Sequence, residues 1–101
     1  MTKKQTKELI SHLNYLAKGG GVNYPLFGLC SEIQKKFNVV LLLKIKERFA
    51  SWKHYSGSID YPVGGRDEYM RPGNLWTGKQ GKLRRSLCRH IAKQLKKEIE
   101  A

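Results

Sequence analysis

The sequence predicts a mainly α fold: a small single domain over residues 1–101, with about four helices and a long ordered loop between the third and fourth. Three observations predict it. Apolar residues recur at three- and four-residue intervals in several segments. Capping-box spacings stand at the start of two of these segments. Turn-forming residues gather in one stretch, 54–73. At 101 residues and 40% apolar, the chain can bury one modest core but not two.

The first element covers residues 2–18. Thr2-x-x-Gln5 has capping-box spacing, and Leu9, Ile10, Leu13, Leu16 and Ala17 follow at helical intervals. Gly19-Gly20-Gly21 ends it, because glycine readily takes the left-handed backbone that closes a helix. Pro25 suits a first helical position, and residues 26–37 form a second helix facing inward through Leu26, Leu29, Cys30, Ile33 and Phe37, stopped at Asn38. Residues 39–52 carry a mixed signal. Val39 and Val40 suit a strand, yet Leu42, Ile45, Phe49 and Trp52 fall at helical spacing, and the length favours a helix. The loop over 54–73 has room for a short strand pair around Ser58 to Val63. A loop this long in a small domain is uncommon and often functional.

The last helix covers residues 78–98. Thr77 is a good N-cap, with Gln80 three residues on. At about 100° per residue, Leu83, Leu87, Cys88, Ile91, Ala92, Leu95 and Ile99 fill one half of it. Lys82, Arg85, Arg89, Lys93 and Lys96 fall in a narrow arc on the other, with Lys79 and Lys97 at its edge. No acid occurs over residues 69–97. Arg84 breaks the order by projecting from the middle of the apolar half. A buried guanidinium needs an anionic partner. The expected partner is Asp60, Asp67 or Glu68 in the long loop; the alternative is an anion pocket lined by Arg84.

The balance of 20 Lys+Arg against 8 Asp+Glu, a net charge of +12, directs attention to anionic partners: nucleic acid, a nucleotide or an acidic protein surface. The unpaired amides of the helix start attract anions, and Gly78 and Gly81 would let a ligand approach beside Lys79, Lys82, Arg84 and Arg85. The spacing is not that of a P-loop, which needs four residues between its second glycine and its first and a Ser/Thr after the lysine. Further along, Arg89 and Lys93 extend the stripe. Trp52, His54, Tyr55, Tyr61, Tyr69 and Trp76 lie in or near the loop. Trp52 and Trp76 read as core, whereas Tyr55 and Tyr61 are candidates for stacking on bases.

No apolar run approaches the roughly 20 residues that span a bilayer, and MTKKQTKE is too polar for a secretory signal. Cys30 and Cys88 occupy apolar positions and read as buried free thiols of a reducing cytoplasm. No metal-ligand spacing is present and no cofactor is implied. Val39 to Leu43 offer more apolar surface than a monomer of this size readily buries, so a homo-oligomer is a candidate state.

The stretch SWKHYSGSIDYPV (51–63) followed by LWTGKQGKLRRSL (75–87) resembles a group of small bacteriophage-encoded proteins, with a Trp, a Tyr/His-Ser-Gly, a Tyr-Pro-Val, and a Trp-x-Gly-x-x-Gly leading to Arg-Arg and leucines. Gly28-Leu29-Cys30 is similar to their N-terminal part. The resemblance covers about half of the chain, which departs from the pattern at Gly64, in place of proline, and at Lys79, in place of an acid. It implies a phage origin and a place in the host cytoplasm, in host takeover or counter-defence.

Three functions compete. The leading expectation is a non-enzymatic binder of nucleic acid or a nucleotide, through the basic helix and the aromatic loop. The second is an inhibitor that docks its basic face on an acidic host protein. The third is a ribonuclease, because Arg85-x-x-x-x-His90 has the spacing of the motif in helical HEPN-type enzymes. Seven lysines and arginines between residues 82 and 97 make that match easy to meet by accident.

Overall fold

The structure is a computed structural model that describes residues 2–20, 28–56 and 79–100. Thr77, Gly78, the strand pair around Ser58 to Val63, Tyr61, Tyr69 and Trp76 lie outside the described residues. The remainder is helical: α1 (Lys3–Ala17), α2 (Gly28–Lys36), α3 (Val39–Lys46), a 3-10 turn (Phe49–Ser51) and α4 (Lys79–Glu100). There is no strand among the described residues, and no helix there is long and apolar enough to cross a membrane.

The start of α1 is fixed by its capping box. Thr2 Oγ1 accepts the Gln5 amide at 3.1 Å, and Gln5 Oε1 accepts the Thr2 amide at 3.0 Å. Its end is closed by paired reverse bonds: the Gly20 amide donates to the Tyr15 carbonyl at 2.9 Å and the Gly19 amide to Leu16 at 3.1 Å. This geometry puts Gly19 at φ +89°, a conformation that a side chain disfavours. Between its caps α1 buries Leu9, Leu13, Leu16 and Ala17, together with Thr6 and His12.

Asn38 both ends α2 and starts α3, its Oδ1 accepting the Leu41 amide at 3.0 Å. The β-branched pair Val39–Val40 is therefore the first turn of a helix and not a strand. The helix expected to run to residue 52 ends at Lys46, and the chain tightens into bonds three residues back, Arg48 to Ile45 at 3.0 Å and Trp52 to Phe49 at 3.0 Å. Residues three apart eclipse in a 3-10 turn, so Phe49 and Trp52 enter the core together, at 1% and 3% exposure. Cys88 is also in the core and Cys30 is half-buried, neither in a disulfide. Burial pushes the Cys88 thiol up to about 12, which keeps it protonated.

Helix α4 is the rod on which the other elements are laid. α1 packs along one side of it, antiparallel, since Lys3 and Lys7 lie by Lys96 and Glu100 while Arg89 reaches the Ala17 carbonyl. The α3–turn segment lies along another side, also antiparallel: Lys44 and Arg48 pair with Glu98, and Trp52 reaches Ser86. α2 packs on α3 and meets α4 through Glu32. One core results, with Leu9 and Leu13 of α1, Leu29 and Ile33 of α2, Leu41 and Ile45 of α3, and Leu87, Ile91 and Leu95 of α4 all at 2% exposure or less. Outside it, Val39, Val40 and Leu43 form an apolar patch, each more than half exposed.

Two stability predictions follow from these contacts. Gly19→Ala places a side chain at positive φ and should cost about 1 kcal/mol, read as a lower urea midpoint with an unchanged slope. His12 is buried with its ring edge against Phe37, and burial, aided by Lys36 and Arg84, lowers its pKa from the ordinary 6.5. The unfolded chain then takes up this proton at a higher pH than the folded one. The His12 contribution is whole above about pH 6.5 and drains as pH falls below it. Urea midpoints should drop as pH falls below about 6.5, and His12→Phe should shrink that drop.

Candidate anion-binding face

The two halves of α4 separate as the angular reading requires. Leu83, Leu87, Cys88, Ile91, Ala92 and Leu95 are buried, while Lys82, Arg89, Lys93 and Lys96 are exposed and Arg85 is half-buried. Among the described residues no acid pairs with Lys82, Arg85, Arg89, Lys93 or Lys96. From Lys82 to Lys96 the stripe rises about 21 Å at 1.5 Å per residue.

Arg84 is 3% exposed and forms an ion pair with Glu32 of α2. Glu32 is a carboxylate partner that the sequence reading did not name, and the expected partners Asp60, Asp67 and Glu68 lie outside the described residues. A guanidinium fixed between two helices and closed off from solvent holds α2 to α4; it is not presented to a ligand at the surface. Gly81 is buried too, so its backbone does not face an approaching anion. Lys79 begins α4, its side chain outside the described residues, like Gly78 and Tyr61. Tyr55 is half-buried against the core. The expected pocket at the helix start is thus reduced, among the described residues, to Lys82 and Arg85.

The structure brings together a different set. Ser86, His90, Gln94 and Glu98 recur every four residues and form a polar ladder at the border of the buried half of α4. Each rung meets the α3–turn segment. Trp52 Nε1 donates to Ser86 Oγ at 3.2 Å, and Ser51 Oγ lies 3.0 Å from His90 Nε2. Gln94 Nε2 donates to Ser51 Oγ at 2.6 Å, and Glu98 pairs with Lys44 at 3.3 Å and with Arg48. Ser51 Oγ also donates to the Arg48 carbonyl at 2.9 Å. Burial lowers the His90 pKa, a hydrogen bond to the Arg48 backbone opposes this, and Lys93 adds to the lowering.

Where the ladder meets the stripe, Ser51, Trp52, Lys53, Ser86, Arg89, His90 and Lys93 line one groove of about 370 Å³. That volume is within the range of small-molecule sites. Arg89 and Lys93 were legible as candidates. Lys53, Ser51, Ser86 and His90 were not singled out as ligands, although the four-residue recurrence of polar side chains beside an apolar half was there to be read. Arg85 and His90 stand about 140° apart around α4, and His90 is engaged by Ser51. Among the described residues no group of three or more His, Cys, Asp or Glu is placed to hold a metal ion.

Comparison with known proteins finds no matching family model, no matching curated protein and no matching solved structure. The functional reading therefore rests on the residues.

The Arg84–Glu32 pair has its own test. Removing one partner leaves a mostly buried charge, so Arg84→Ala should lose about 3 kcal/mol of unfolding free energy. The double variant Arg84→Met/Glu32→Gln should recover much of that loss. Denaturant titration of the three proteins decides it: equal losses in the single and double variants would mean the pair is not what holds α2.

Proposed function

We propose that this chain is a non-enzymatic binder of a polyanion, with nucleic acid the favoured ligand and a nucleotide the smaller form of the same chemistry. The observation that carries the reading is the exposed cation stripe of Lys82, Arg85, Arg89, Lys93 and Lys96, with no acid partner among the described residues. Unpaired like charges along one helix face repel each other, a cost relieved when phosphates replace the small counterions. About 21 Å of stripe matches roughly six phosphates of one strand at about 3.4 Å each. With the resemblance to phage proteins, the proposed setting is the host cytoplasm, in takeover or counter-defence.

A second reading has its own observation. Val39, Val40 and Leu43 are more than half exposed, and exposed apolar side chains suit a protein partner. In that reading the chain inhibits an acidic host protein on which its basic face docks.

The two readings part on salt and on nuclease. With a mixed-sequence oligonucleotide bearing a 5′-hydroxyl, fluorescence anisotropy should show binding whose log affinity falls against log salt with a slope of about −3.5 for single strands. The triple variant Lys82→Gln/Arg85→Gln/Lys96→Gln should reduce that slope by about 2 and weaken binding at low salt at least tenfold. Absence of binding at low salt, or binding indifferent to salt, would overturn the nucleic-acid reading. A host-lysate partner retained after nuclease treatment would favour the second.

A further inference from the structure

The stripe belongs to one helix, whereas the groove is lined by cationic residues of two elements. Lys53 comes from the chain just after the 3-10 turn, and Arg89 and Lys93 come from α4. Among the described residues no acid lines this groove. Its neutral groups are placed by the ladder. Ser51 accepts from Gln94 and donates to the Arg48 carbonyl, so its hydroxyl is occupied and serves to fix His90. Ser86 differs: its oxygen accepts from Trp52 Nε1, and no acceptor among the described residues takes its proton. Among the described residues the groove thus combines Lys53, Lys93 and Arg89, whose guanidinium also donates to the Ala17 carbonyl at 3.5 Å, with one hydroxyl proton to give.

That set matches a compact dianion better than a phosphodiester. A diester carries one negative charge and a sugar on either side, whereas a terminal phosphate monoester carries close to two charges at neutral pH and three oxygens free to accept. Charge-assisted bonds to such oxygens are the strong ones. Because Arg89 and Lys93 belong to both groove and stripe and stand near the middle of the stripe, a strand that ends in the groove beside Lys53 and Ser86 has its following phosphates on the half of the stripe to one side of it. We propose that the groove seats the terminal phosphate of a nucleic-acid strand, so that the protein distinguishes phosphorylated ends from hydroxyl ends. This rests on the polyanion reading above and adds to it an end preference that the stripe alone would not produce.

The test compares one oligonucleotide, labelled at its 3′ end, carrying either a 5′-phosphate or a 5′-hydroxyl, with adenosine monophosphate as competitor. The phosphorylated form should bind about tenfold tighter, the effect of one added charge-assisted contact. Lys53→Ala, a change at an exposed position, should bring that ratio to about twofold or less, weakening the phosphorylated strand more than the 5′-hydroxyl strand. Ser86→Ala, checked for folding by circular dichroism, should lower the ratio in part. Equal affinity for the two ends in the wild type overturns the end preference and leaves the polyanion reading standing. A ratio that survives both substitutions overturns the groove as its seat. Adenosine monophosphate binding as tightly as the phosphorylated strand overturns the strand end as the ligand, in favour of a free nucleotide. Failure of both oligonucleotides to bind removes the polyanion reading, and the end preference with it.

Discussion

Burying one half of α4 determines where the other half must go. Leu87, Cys88, Ile91 and Leu95 are fully enclosed, and Leu83 and Ala92 nearly so; at about 25 cal/mol per Å² of apolar area this burial dominates the helix's contribution to folding. A helix cannot rotate to hide Lys82, Arg89 or Lys93 without exposing those residues, so the cations stay outward whatever their mutual repulsion. Every other element takes its place relative to this rod. α1 covers one flank, the α3–turn segment another, and α2 is held from below by the Glu32–Arg84 pair. The cationic face of α4 is thus a consequence of core packing.

The polar ladder performs a second task in the same helix. Ser86, His90, Gln94 and Glu98 stand between the apolar half and the stripe, and each finds its partner on the α3–turn segment. Apolar packing alone tolerates sliding of one helix along another; four rungs of differing chemistry do not, since each donor would lose its acceptor. The register they set carries Lys53 to the side of Arg89 and Lys93. A groove with convergent charge arises from two elements that would each offer only isolated cations.

Local signals in the chain foretold local features. The Thr2/Gln5 capping box, the Gly19 stop and the two-sided character of α4 all depend on residues within a turn or two of each other, and all appear where the pattern placed them. Features made by distant residues were not legible. Arg84 plainly required an anion, yet its partner Glu32 is 52 positions away and no periodicity points to it. The end of α3 at Lys46 was hidden because Phe49 and Trp52 suit either an α-helix or the tighter turn that buries them both. Lys53 gained its meaning only when the turn laid it beside α4. Of the candidate site, the stripe was readable and the groove was not, because a groove belongs to a pairing of elements and not to either one.

The apolar patch of Val39, Val40 and Leu43 acquires a different significance beside a net charge of +12. Two copies meeting through this patch would bring large like charges together, so the outward cations oppose that approach. This protection has the range of a Debye length, about 8 Å at physiological ionic strength and about 3 Å at 1 M salt. Neutralising the stripe with a polyanion removes it as effectively as salt does. Under the proposed reading, dispersal of the free protein and closer approach of copies on a shared polyanion would be two faces of one charge distribution.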